Sequence, residues 1–451
     1  MIAAMPRSLL YAIVFIEGFC SLGAEVIALR RLVPEVGSSI VVTAPTIGLF
    51  LLALALGYAA GGRVAGDFRR VVARNFLVAA LLAGTGLAGP TVTGLFAHLQ
   101  PAAMAYLVFI GGILCPLAWL LGQTVPILTN LMGHARAGEA SGTALYWSTL
   151  GSFLGSLGLS LLVMQWLGVS AAVFACALLL AAGAVVLHGR RPAAALSAVA
   201  VAGLAAWINL APQATTQTAY ADYAVVPVEL PGQAHPRAFR VNNSTASLLD
   251  DGTPPRYALY IRHLRRVLLE DLGFKGKEIL VLGAGGFTLS HREPDNRYTY
   301  VDIDPAIRAI AEKEFLKEPI RGDFVVDDAR RFVAATDRRF DAVVVDVFSS
   351  HTSIPSHLVT REFWRDARRA LTADGVLLAN LILDPRLETP YARNLLATIE
   401  NVFGRCAVEV LHRDRPLANV EVICFASSRP QAARLYADEL NPADVDLARS
   451  R

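Results

Sequence analysis

The chain has 451 residues, of which 54% are hydrophobic and 18% charged, with a formal net charge of +3 and a mean hydropathy of +0.46. That balance excludes an ordinary soluble enzyme and predicts a bilayer-embedded portion. Residues 1–212 carry 10 Lys+Arg and 5 Asp+Glu against 31 and 33 in residues 213–451, so neither half has the basic surface that binds nucleic acid.

In chain order, apolar stretches long enough to cross a bilayer, about 20 residues each, run near 9–29, 39–62, 71–97, 103–131, 141–165, 168–188 and 193–211. A membrane bundle of about seven helices is expected over residues 1–212. The short connections hold its arginines, among them Arg30, Arg31, Arg63, Arg136, Arg190 and Arg191. Glycines recur at helix-packing spacing in Gly57, Gly61 and Gly62 and in Gly151, Gly155 and Gly158, where helix backbones can approach closely. Charge signal is weakest for 193–211, and Pro116 and Pro126 interrupt 103–131. Glu17 and Glu25 lie inside the first stretch, where an ionisable group needs a partner or water. They form either a buried pair that holds the bundle together, with Arg30 or Arg63 as the partner of Glu25, or part of a polar cavity for a cationic substrate. The arginine distribution favours an inside N-terminus, which after seven crossings puts the C-terminal half outside.

From Tyr220 the pattern turns to alternation and predicts a small antiparallel sheet with a linking helix over 213–270. Beyond it strands alternate with helices: strands near 278–282, 298–302, 324–326, 341–345, 376–381, 408–411 and 421–425, helices near 305–317, 328–336, 360–372 and 388–403. Short, continuously apolar strands in that order read as a doubly wound, Rossmann-like, largely parallel α/β domain over 271–430. A tail, 431–451, follows. The five cysteines are scattered without CxxC spacing, which argues against a metal knuckle or a disulfide framework.

The first of these strands opens onto Gly283, Gly285 and Gly286, where a ligand can approach the backbone closely. Asp302 ends the next strand, 19 residues beyond Gly283, and a carboxylate there can accept both hydroxyls of a ribose. Asp328 and Ala329 follow the third strand, where a short carboxylate suits an adenine amine. Helix capping explains Asp304 but not the set. Without a phosphate cradle, S-adenosylmethionine or a derivative fits better than NAD or ATP. Asp346, after the fourth strand, can attract an amine and take its proton.

These residues resemble the spermidine synthase (polyamine aminopropyltransferase) family, specifically its bacterial branch with a fused N-terminal multi-pass membrane domain. The likeness rests on Gly18-Phe-Cys-Ser-Leu-Gly-Ala-Glu-Val, Gly57-Tyr-Ala-Ala-Gly-Gly-Arg and Tyr146-Trp-Ser-Thr-Leu-Gly-Ser-Phe-Leu-Gly in the apolar half. In the polar half it rests on Leu249-Asp-Asp-Gly, Tyr260, the Gly283 loop, Asp302, Asp328-Ala, Asp346 and Leu358-Val-Thr-Arg-Glu-Phe-Trp. The resemblance implies ribose binding by Asp302, adenine binding by Asp328, an amine-binding base at Asp346, and Tyr260 lining the amine pocket. It also implies S-adenosylmethionine or its decarboxylated form as co-substrate without a metal, an amine acceptor, methylthioadenosine as product, and an inner-membrane protein with a cytoplasmic catalytic domain. A homodimer is left open. Where the family has acidic residues this chain has Gly286, Arg256, Arg262 and Ser349, which predicts poor use of putrescine. Methyl transfer, and a transporter or sensor regulated by its nucleoside domain, are the rival readings.

Overall fold

The computed structural model describes residues 6–37, 39–131, 137–189, 192–211, 215–218, 220–230, 235–242, 244–348, 354–427 and 443. Two compact units divide the chain, one of Met1–Val36 with Val42–Ala219, the other of Gly37–Val41 with Tyr220–Arg451.

The first unit is helical. Among the described residues six helices are long and apolar enough to cross a membrane: α1 (Arg7–Val36), α2 (Ile40–Gly61), α5 (Ala102–Asn130), α6 (Gly138–Leu167), α7 (Val169–His188) and α8 (Pro192–Leu210). The seventh apolar stretch is a pair, α3 (Phe68–Gly86) and α4 (Gly89–His98), bent by 65°. The break falls here because Pro90 occupies the first turn of α4, where its missing N–H costs nothing and its ring blocks continuation backwards. Residues 103–131 and 193–211, the stretches with the weakest sequence signal, each form a single helix.

Glycine decides how α1 and α6 meet. A Cβ on Gly151 would stand 2.2 Å from the Phe15 carbonyl oxygen, and one on Gly18 2.0 Å from that of Ser148. Gly57 and Gly61 abut the Trp119 and Gln123 carbonyls in the same way, whereas Gly62 and Gly158 make no close approach to another helix. Glu17 is buried and accepts a hydrogen bond from Ser148 Oγ at 2.8 Å. The expected pairing of Glu25 with arginine is absent among the described residues. Arg30 bonds the Thr218 carbonyl, Arg63 is exposed, and Glu25 Oε2 has no hydrogen-bond partner.

In the second unit β1 (Asp222–Pro227), β2 (Arg237–Val241), β3 (Ser244–Asp250) and β4 (Arg256–Tyr257) pair antiparallel in sequence order. Helix α9 (Leu259–Arg265) leads to a seven-stranded sheet. Its strands are β5 (Glu278–Leu282), β6 (Arg297–Asp302), β7 (Asp323–Val326), β8 (Phe340–Val345), β9 (Leu371–Leu383), β10 (Ala407–Leu411) and β11 (Ala418–Phe425). They lie in the order β10-β11-β9-β8-β5-β6-β7. The five from β9 to β7 are parallel. The closing pair β10 and β11 runs antiparallel, a departure from parallelism that alternation of strand and helix does not reveal.

Alternation along each strand divides the core into two faces. Leu280, Leu282, Val343 and Val345 pack with Phe363, Trp364 and Phe403, which come from α12 (Arg361–Arg369) and α13 (Pro390–Phe403). Ile279, Val281 and Val344 pack with Tyr260 and Leu264 of α9 and with Phe239 and Phe315. Cys406 and Cys424 form a disulfide, Cα to Cα 4.6 Å, against the expectation from their spacing. The antiparallel register that pairs Ala407 with Ile423 sets them directly opposite, and an 18-residue separation conceals that. Cys20, Cys115 and Cys176 are free.

Candidate active site

Sheet order reverses between β5 and β8, the place where α/β folds open a crevice at their carboxyl ends. Gly283 follows β5 and Asp346 follows β8, and the two are joined through the Asp346 N–H, which donates to the Leu282 carbonyl at 2.9 Å. Gly283 has φ +87°, and a Cβ there would stand 2.2 Å from the Asp346 carbonyl oxygen. Only glycine fits both conditions.

Asp346 is held by side chains from two further elements. Asn380 Nδ2 of β9 donates to its Oδ1 at 2.8 Å, and Asn419 Nδ2 of β11 donates to Asn380 Oδ1 at 2.9 Å, fixing the amide's orientation. The Tyr260 hydroxyl lies 3.2 Å from Asp346 Oδ2 and 2.6 Å from the Ala246 carbonyl. A phenol has one proton, the shorter bond claims it, and the Tyr260 oxygen is left able to accept from a protonated Asp346. Burial pushes the Asp346 carboxyl up to about 6 and the Tyr260 phenol well above its ordinary value. A cavity of about 10 Å³ beside them is lined by Ser247, Tyr260, Thr288, Asp346 and the Gly283–Gly285 turn, room for about one water.

The strand-end carboxylates are all locally engaged. Asp302 accepts from the Ala284 N–H at 2.9 Å and the Asp304 N–H at 3.0 Å, and burial raises its pKa above the usual carboxylate value. Its oxygens keep lone-pair capacity beyond these backbone bonds. Asp304 caps through the Ala306 N–H and takes the Tyr223 hydroxyl at 2.9 Å. Asp328 proves to be a cap as well: it precedes α11 (Ala329–Ala335), accepts from the Arg331 N–H at 3.0 Å and lies 3.4 Å from His357 Nε2. Ala329 is buried behind it.

Gly286, where the resemblance places an acidic residue, has no room for a side chain. A Cβ there would meet Phe315 Cε1 at 2.4 Å and Ser247 Cβ at 2.8 Å. Gly285, at φ +48°, has only Ser247 Oγ near, at 3.7 Å. Arg256 and Arg262 are exposed, so the cationic barrier expected of them has no buried counterpart, and Ser349 lies outside the described residues. Reading the sequence missed Asn380, Asn419, His263 and Glu421. The signal was available: Asn380 interrupts the apolar run 376–383 and Glu421 the apolar run 420–425, where such groups are rarely buried without a purpose.

The Spermine/spermidine synthase domain matches residues 256–431, which span β4 through β11 and include Tyr260, Gly283, Asp302, Asp328, Asp346 and Asn380. Over 229 residues the chain is 31% identical to the polyamine aminopropyltransferase of Chromobacterium violaceum, covering 47% of this chain and 83% of that one. The Vibrio vulnificus polyamine aminopropyltransferase is 32% identical over 198 residues, 40% of this chain and 64% of that protein's length. That of Mycobacterium tuberculosis is 27% identical over 408 residues, 82% of this chain and 77% of its own, a stretch that reaches into the apolar half. With the glycine turn, Asp302 and Asp346 gathered at one sheet edge and similarity extending over most of a known member, the chain belongs to the spermine/spermidine synthase family.

Proposed function

We propose that the chain is a membrane-anchored aminopropyltransferase. It would take decarboxylated S-adenosylmethionine, or S-adenosylmethionine itself, as donor, transfer an aminopropyl-type group to an amine and release methylthioadenosine. The observation that carries this reading is Asp346: a carboxyl group held by Asn380 and lying against the Tyr260 hydroxyl, pushed up to about 6 by burial, beside the glycine turn of a nucleoside-type fold. A carboxyl with that affinity for protons accepts one from an ammonium more readily than an exposed aspartate does. The freed nitrogen lone pair attacks the sulfonium-bound methylene, a C–N bond forms as the C–S bond breaks, and the electron pair leaves on sulfur as a neutral thioether. Asp302 would hold the ribose through its free lone pairs and Asp328 the adenine, while the glycine turn leaves space along the donor. The long apolar helices of the first unit support anchoring in a bilayer.

Product analysis tests the reading. Detergent-purified protein incubated with each donor and an amine should yield methylthioadenosine. S-adenosylhomocysteine in its place would identify the protein as a methyltransferase on the same fold.

A further inference from the structure

Beside Asp346 lies a second group of ionisable side chains to which the resemblance assigns no role. His263, on α9, stands between two carboxylates: Nδ1 bonds Glu421 Oε2 and Nε2 lies 2.6 Å from Glu409 Oε2. Arg266 Nη2 is 3.0 Å from the same Nε2. Glu421 is 0% exposed, yet its other oxygen, Oε1, has no hydrogen-bond partner. A carboxylate oxygen buried without a donor is costly, and such exceptions call for a functional reason.

The register shows what that oxygen is beside. Val345 pairs with Ala379 in the parallel ladder of β8 and β9, which brings Asp346 next to Asn380, and Asn380 pairs with Glu421 of β11. Neighbouring strands are about 4.8 Å apart, so the backbones of Asp346 and Glu421 are separated by about 10 Å. All three side chains follow the alternation of the face that α9 covers. The helix confirms the alignment, since Tyr260 and His263 are three residues apart on one helical face, one bonded to Asp346 and the other to Glu421. Two carboxylates, Asp346 half-buried and Glu421 fully buried, thus sit at the two ends of one row, with the Asn380 amide between them.

Resting on the aminopropyltransferase reading, we infer that Glu421 is a specificity-determining residue for the acceptor: its free Oε1 binds the distal ammonium of a short α,ω-diamine whose reacting nitrogen lies at Asp346. His263 is then a positioning residue, holding Oε2 so that Oε1 faces along the row. Asp346, Glu409 and Glu421 set three carboxyl groups against one guanidinium and one imidazole; burial pushes the Glu421 carboxyl up to about 7, and an ammonium brought beside it favours its ionised form. Glu421 supplies a carboxylate from the closing antiparallel strands in place of those missing at Gly286, Arg256 and Arg262, which reverses the expectation from the sequence that putrescine, 1,4-diaminobutane, is a poor acceptor.

The test compares 1,4-diaminobutane with n-butylamine, which keeps the reacting nitrogen and lacks the distal one. Glu421→Gln should raise KM for the diamine at least tenfold and leave kcat within about threefold, with KM for n-butylamine unchanged. Calorimetry should show unaltered affinity for methylthioadenosine, which reports that the variant is folded. Glu421→Asp, one methylene shorter, should shift preference toward 1,5-diaminopentane. Equal effects on diamine and monoamine, or no effect on either, would overturn the inference while leaving the transferase reading standing. Wild-type protein that transfers an aminopropyl group to neither amine would overturn both.

Discussion

Replacing Asp346 with Asn should remove activity and stabilise the protein, and pH should separate the two effects. Burial raises the Asp346 carboxyl from 3.8 to about 6, so the folded state binds this proton more tightly than the unfolded chain does. For a raised acid the sign is fixed: the folded state is penalised progressively as pH climbs from the unfolded value through the folded one. Two units correspond to about 3 kcal/mol at pH 7 and above, and allowing for solvent reaching part of the side chain gives a range of about 1–3 kcal/mol. Asn carries no such penalty and keeps both contacts, its Oδ1 accepting from Asn380 and its Nδ2 donating to Tyr260. Differential scanning fluorimetry of the detergent-solubilised protein, following the second unit's transition, should show a higher midpoint for the variant at pH 7.5, by about 2–4 °C per kcal/mol. By pH 4.5 wild-type Asp346 is protonated when folded, and the advantage should shrink to about a third of its pH 7.5 value. Turnover should fall at least 100-fold at every pH. A variant less stable than wild type at pH 7.5, or a gain independent of pH, would refute the claim that Asp346 is held at an energetic cost.

Asp302→Ala should weaken methylthioadenosine binding by about 1–3 kcal/mol, the loss expected of a charged hydrogen-bond acceptor, and unchanged calorimetric affinity would remove it from the nucleoside site. Gly283→Ala forces a side chain into positive φ and against the Asp346 carbonyl. It should lower stability by about 2–4 kcal/mol and reduce kcat, and a variant with wild-type melting and turnover would contradict the geometry. Opening the Cys406–Cys424 bridge with a reductant should cost about 3 kcal/mol, the chain-entropy value for a loop of this length, measured as a lower midpoint absent from a Cys406→Ser, Cys424→Ser control.

Periodicity carries the elements of the catalytic half well, because each strand of a covered parallel sheet must be apolar throughout and glycine must mark the turn after β5. Asp302 and Asp346 were legible for the same reason, polar residues at the ends of such runs. Glu421, Asn380 and His263 were not read, since their meaning depends on lateral register between β8, β9 and β11, which no local pattern encodes. Asp328 shows the opposite limit. A strand-end carboxylate and a helix cap have the same sequence signature, and here one residue is both at the end of β7 and the cap of α11. The bend between α3 and α4 follows from Pro90, while Pro116 and Pro126 lie in a stretch that stays within one long span.

The cross-strand bridge also makes the second unit a gauge of the compartment it inhabits. Cys406 and Cys424 stay joined where thiols are kept oxidised and separate where glutathione and thioredoxin act. Seven crossings with the arginine-rich connections inside would set the unit on the oxidising face, and a cytoplasmic unit would carry two more thiols than an external one. Counting thiols with an alkylating reagent added as cells are lysed therefore reads the sidedness of this domain directly. The three free cysteines of the helical unit provide the baseline from which the difference is taken.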